Sequence, residues 1–280
     1  MNQSQERMKL KENSQRVIVS VFAIPIILAA SYLGGYFFFA FVVIISLLSF
    51  YEFCLLAKNK NANANLFLGG FIVLILLINQ YKHFIDLGVI VLISSLLLLV
   101  SELFRNKGSA VLNLGTTFLG IFYIGIFSAT FIALREFYPP INGLYHRGGF
   151  LVISILASIW IGDSAAYYGG TALGKHKLFP RVSPKKSWEG AIFGFIFSIA
   201  ALILAKIIVL DFLNWKDVVV IGIIIGTIGQ IGDLVESLIK RDSAVKDSSN
   251  FIPGHGGFLD RFDSLLFSSP VIWLYLRYLS

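Results

Sequence analysis

Along the 280 residues, apolar positions neither alternate with polar ones nor mark a narrow helical stripe; they run in long blocks with polar islands between them. A helix needs about 20 mostly apolar residues to cross the hydrocarbon layer of a membrane. Nine blocks come near that length, at 17–33, 36–57, 66–80, 87–104, 111–134, 149–168, 190–210, 218–239 and 262–279. A transmembrane barrel would instead alternate apolar and polar residues over about ten positions, which these blocks do not. The pattern predicts an all-α, polytopic integral membrane protein of about nine transmembrane helices, with no separate soluble domain. It divides into 1–110, carrying helices one to four, and 111–280, carrying helices five to nine with polar loops at 169–189 and 240–261.

Composition agrees, since 56% of residues are hydrophobic and only 14% charged, against roughly 25% charged in soluble domains. Lys and Arg gather in short cytoplasmic loops, so their distribution tests the topology independently. Of the 23, nine spans place 17 on one side: the N-terminus (Arg7, Lys9, Lys11, Arg16) and four loops, including Lys175 to Lys186 and Lys240 to Arg261. A cytoplasmic N-terminus follows, with both polar loops on the cytoplasmic side. The net charge of +7 is spread over loops beside anionic headgroups, which points to a membrane surface and not to nucleic acid. Ala29-Ala30-Ser31 raises a cleaved signal peptide, but Gly34-Gly35 turns the chain straight into another apolar block, as in a helical hairpin. The single cysteine, Cys54, excludes a disulfide framework and a Cys-based metal site.

On this topology nearly every acid in or beside a helix falls toward the cytoplasm: Glu52, Glu102, Asp163, Glu189, Asp233, Glu236, Asp260 and Asp263. We expect them to converge on one cavity. Asp233 with Glu236, and Asp260 with Asp263, are three apart and share a helix face. Crowded carboxylates need a cation to stay ionised, and an oxygen set without Cys or clustered His suits Mg²⁺. The alternative is internal pairing with Lys240, Arg241 or Arg261. A second polar block, Trp160 to Gly190, joins Asp163 to Gly-rich turns and to Lys185-Lys186 at the start of the seventh helix. That is chemistry suited to a polyphosphate, or alternatively to lipid headgroups. His255, flanked by glycines, is placed to donate to a phosphate or move a proton, or else holds its loop. Ser-x-x-Lys occurs at Ser183 and Ser237 without the companion motifs of penicillin-binding enzymes, so we reject that reading. Gly190 with Gly194 and Gly222 with Gly226 predict close helix contacts.

Together these blocks resemble the phosphatidate cytidylyltransferase family, the CDP-diacylglycerol synthases. The family's C-terminal signature is matched at every position by Ser237-x-apolar-Lys240-Arg241, Lys246-Asp247, Pro253, His255-Gly256-Gly257 and Asp260-Arg261-apolar-Asp263. Its other stretches are Trp160 to Asp163 with Ala166-Tyr167, Ser183 to Lys186 leading to Trp188-Glu189-Gly190, and Gly229-Gln230 with Gly232-Asp233. Ser164 and Ser187 stand where Thr is more usual, and both keep the hydroxyl. The resemblance covers roughly 115 to 279; the first four helices match only in hydropathy.

The resemblance implies an enzyme of the bacterial inner membrane that makes CDP-diacylglycerol and pyrophosphate from CTP and phosphatidate. It implies Mg²⁺ held by Asp233, Asp260 and Asp263, with a second, monovalent cation left open. It gives catalytic roles to Lys240, Arg241, Asp247, His255 and Arg261, and substrate contacts to Asp163, Ser183, Lys185, Lys186, Glu189 and Ser237. It also suggests a homodimer. Two rivals are a lipid-alcohol kinase that uses CTP and a transporter, since intramembrane acids mark transporters too. Neither a sequence repeat nor midplane acids support the latter.

Overall fold

The computed structural model describes residues 3–141, 143–252 and 254–280, with side chains from Val17 onward. Pro253 of the signature and the side chains of Arg7, Lys9, Lys11 and Arg16 therefore lie outside the described residues. The helices are α1 (Gln3–Leu33), α2 (Gly35–Lys58), α3 (Leu66–Lys82), α4 (Leu87–Arg105), α5 (Ala110–Gly120), α6 (Phe127–Arg135), α7 (Tyr145–Leu173), α8 (Trp188–Ile208), α9 (Trp215–Ile224), α10 (Gln230–Asp242) and α11 (Leu259–Tyr278). Wider π-helical turns, Ile121–Ile126 and Ile225–Gly229, join α5 to α6 and α9 to α10. The described residues thus form nine helical rods, one at each apolar block.

Six rods are long and apolar enough to cross a membrane: Gly35–Lys58, Leu87–Arg105, Ala110–Arg135, Tyr145–Leu173, Trp188–Ile208 and Trp215–Asp242. Val17–Leu33 and Leu66–Lys82 are shorter apolar helices. Large apolar side chains such as Leu103, Phe104, Val111 and Ile207 stay exposed on these rods, an outer surface suited to acyl chains and not to water. This is a membrane protein.

Several rods outrun their apolar blocks. Hydropathy marks only the lipid-facing stretch, whereas backbone hydrogen bonding continues into water, so α7 reaches Leu173 and α10 reaches Asp242. The segment 169–189, expected as a loop, is the end of α7, then an antiparallel hairpin of β1 (Lys177–Phe179) and β2 (Ser183–Ser187), then the first residues of α8.

Small residues set the spacing that positions the site. A Cβ on Gly190 would stand 2.7 Å from Ala166 O, and one on Gly194 would stand 3.1 Å from the Ala166 methyl, so α7 and α8 pack nearly backbone to backbone. Gly222 and Gly226 do the same for α9 against α8, where added Cβ atoms would lie 2.9 Å from the Ile199 and Phe195 Cα atoms. These glycines serve contacts within the chain, so they lend no support to a dimer. Helix α11 packs against α10, α6, α2 and the second π turn, and buries Leu259, Phe262, Leu265, Leu266 and Ile272.

Candidate active site

Four elements meet at one end of the bundle: the second half of α7, the β1–β2 hairpin leading into α8, helix α10, and the start of α11. The hairpin is fixed first. The Ser187 hydroxyl caps α8 by accepting from Gly190 N at 3.2 Å. Glu189, in the first turn of α8, accepts from Lys175 N (3.1 Å), His176 N (3.2 Å) and the His176 ring Nδ1 (2.6 Å). Its carboxylate therefore clasps the hairpin's two ends. Ser183 and Lys185 lie on β2, and Arg241 ties the hairpin to the end of α10 by donating to Val182 O at 3.3 Å and Val245 O at 2.8 Å.

So anchored, β2 extends Lys186 across to α10, where its ammonium donates to Asp233 Oδ2. The Ser237 hydroxyl, one turn on, donates to Asp233 Oδ1 at 3.4 Å. Asp163 on α7 and Asp263 on α11 are close enough to Asp233 to repel it and each other. Asp263 is buried, and its Oδ1 accepts from Ser264 N at 2.6 Å. One turn below, Lys240 Nζ lies 2.5 Å from both Glu236 Oε2 and Asp260 Oδ1. Asp260 Oδ2 also accepts from Gly257 N (2.7 Å) and Ser248 N (2.9 Å), and lies 2.9 Å from the Ser248 hydroxyl oxygen. Gly256, at φ +82°, carries the backbone through the left-handed turn that brings the loop onto this carboxylate.

The rest of the signature faces a polar basin of ≈ 590 Å³ lined by Lys246, Asp247, Asn250, Gly254, His255, Gly256 and Arg261. Arg261 Nε donates to His255 O at 2.7 Å, and the His255 ring Nε2 meets the Ser20 hydroxyl of α1 at 3.3 Å. Cationic side chains at the rim of such a basin suit a polyphosphate.

The expected residues are thus brought to one region, in different employment. The internal pairing raised from sequence occurs between Lys240 and Asp260, and Lys186 pairs with Asp233. Among the described residues, no three His, Cys, Asp or Glu groups stand as a ready cation cage. The donor chemistry still fits a hard cation, because Asp163, Asp233 and Asp263 are mutually repelling carboxylates, with Lys186 paired to Asp233. Asp260 can join such a set only by releasing Lys240. Glu102 corrects the expectation that all the acids converge. Its oxygens are taken by Arg105 (2.7 Å), three residues along its own helix, and by the Asn113 side-chain amide on α5 (2.6 Å). Ser248 and Ser249, between Asp247 and Pro253 of the signature, are not among the residues marked from sequence, and no local pattern distinguishes them.

The cytidylyltransferase family matches the chain over residues 14–279. The chain is 30% identical to the phosphatidate cytidylyltransferase of Synechocystis sp., over 94% of this chain and 96% of the relative. It is 34% identical to the protein of that name from Brucella suis, over 93% and 92%, and 31% identical to that of Bacillus subtilis, over 95% and 98%. These matches take in the N-terminal helices as well as the polar half. The chain belongs to the cytidylyltransferase family, and with it to the nucleotidyltransferases.

Proposed function

We propose that the protein transfers CMP from CTP to phosphatidate, yielding CDP-diacylglycerol and pyrophosphate, at the cytoplasmic face of a bacterial inner membrane. The observation that carries this reading is the Lys186–Asp233 pair, which joins the basic hairpin to the acidic helices at one end of a lipid-facing bundle. The names of the relatives supply the substrate class.

A phosphatidate oxygen attacks the α-phosphorus of CTP; that P–O bond forms as the bond to the bridging oxygen of pyrophosphate breaks, and the leaving group keeps the electron pair. Both reactants are anions, so the first task of the site is to lower their repulsion. Lys246, Arg261 and His255 line the basin that suits the triphosphate. Lys186 and Lys240 are held by carboxylates and can exchange those partners for phosphate oxygens without crossing the site. Asp233 and Asp263, with Asp163 beside them, are the groups that would hold Mg²⁺. When bound, the ion would neutralise phosphate oxygens and charge building on pyrophosphate. The acyl chains remain among the exposed apolar faces while the headgroup reaches the acids, which is why this chemistry sits in a membrane protein. Nine spans with a cytoplasmic N-terminus, and assembly as a homodimer, complete the proposal.

The test is incubation of purified protein with phosphatidate, Mg²⁺ and CTP labelled at either the α- or the γ-phosphate. Label from the α-position is expected in lipid, with release of pyrophosphate. Label from the γ-position in lipid would replace this reading with a lipid kinase, and binding without turnover would favour a transporter.

A further inference from the structure

One acid expected in the common cavity is held instead at the start of α11. Glu52, near the end of α2, is fully buried (0% exposed). Its Oε1 accepts from the Ser249 hydroxyl (2.6 Å) and Phe258 N (3.0 Å), and its Oε2 from the Ser248 hydroxyl (3.0 Å) and Leu259 N (2.8 Å). Four donors converge on one carboxylate. Two of them are backbone groups at the start of α11, where Phe258 at the N-cap offers no side-chain acceptor of its own. Glu52 thus caps α11 from another helix, and its negative charge sits where the helix dipole is positive. The Ser248 hydroxyl touches Asp260 Oδ2 as well, so the carboxylate is one bond removed from the acidic cluster. Gly257 leaves room for this approach, since a Cβ there would stand 2.5 Å from Glu52 Oε2.

We infer that Glu52 is a positioning residue for the transfer reaction: from the N-terminal half of the chain it fixes the first turn of α11, and with it the placement of Asp260 and Asp263. Glutamine cannot replace it. Both oxygens accept from a backbone N–H, so either orientation of the amide sets its NH₂ against a donor and leaves that donor unsatisfied in a buried place. Loss of register at the start of α11 moves reacting groups relative to each other and lowers turnover, while a lipid held by its acyl chains is bound as before. The role rests on the proposed function for its kinetic meaning, but the placement is measurable without it.

The experiment compares Glu52→Gln with wild type and with Glu102→Gln, another buried acid whose partners lie elsewhere. For Glu52→Gln, kcat is expected to fall at least about tenfold with KM for phosphatidate within about twofold, and amide exchange at 257–260 to quicken. Glu102→Gln is expected to keep both kcat and that exchange pattern. Unchanged exchange at 257–260 in Glu52→Gln, or wild-type kcat beside an active wild type, would overturn the role. If wild type itself transfers no CMP, the functional reading fails and amide exchange alone judges Glu52. Should Glu52→Gln fail to fold, Ser249→Ala removes one of the four donors and must show the same exchange signature with a smaller fall in kcat; its absence overturns the inference equally.

Discussion

Asp263 and Lys186 show how single side chains divide the work. Asp263 is buried beside two other acids, an arrangement that is unfavourable for folding and suited to holding a cation. Asp263→Asn removes one charge from that cluster without changing shape, so the protein is expected to stay folded in detergent while kcat falls by about 10² or more. Near-wild-type turnover would remove Asp263 from the metal-holding set. Lys186 is different in kind, being partly exposed and reaching in from the hairpin. Lys186→Ala is expected to raise KM for CTP about tenfold and that for phosphatidate much less; the reverse pattern would assign the lysine to the lipid headgroup. The charged residues of this region were legible one by one, because an ionisable group among apolar helices is conspicuous. Their pairing was not. Which carboxylate holds Lys240 depends on α11 lying against α10, and nothing in the local spacing distinguishes Asp260 from Asp263 in that role.

The rods were foreseeable at the level of elements because lipid demands an unbroken apolar surface on any helix it touches. The β1–β2 hairpin was not, since three- and five-residue strands made largely of Lys, Ser and Pro carry no period to detect. It exists because Glu189 closes it and Arg241 pins it, contacts that need the fold in place. The α7–α8 seam is the element-level feature most open to test. Gly194→Leu would drive a branched side chain into Ala166 and the Gly162 carbonyl, and overpacking of this type costs about 1–3 kcal/mol. A lower midpoint of thermal unfolding in detergent is expected, together with lost activity, because the same seam places the hairpin. Unaltered unfolding would mean that α7 and α8 separate freely there.

For the molecule as a whole, orientation is the property the charge distribution bears on most directly. With the signature loop and the hairpin facing the cytoplasm, single cysteines placed at Lys185 or Asn250 in a Cys54→Ser background are expected to be shielded from a membrane-impermeant thiol reagent in intact cells and labelled after permeabilisation. Labelling in intact cells would reverse the topology. The N-terminal helices showed only hydropathy in the sequence, yet Glu52 joins them to the polar half through partners 196 to 207 residues away. A link of that length leaves no trace in spacing.

The π turn at Ile225–Gly229 carries a geometric implication for the same assembly. Each residue of a helix advances the chain by about 100° around the axis, so one surplus residue in a turn acts as a fixed dial setting for every position beyond it. Asp233, Glu236 and Lys240 all lie beyond this one. An otherwise identical rod wound without that surplus would swing this row roughly a quarter of a circle, aiming at the lipid the charges now turned inward.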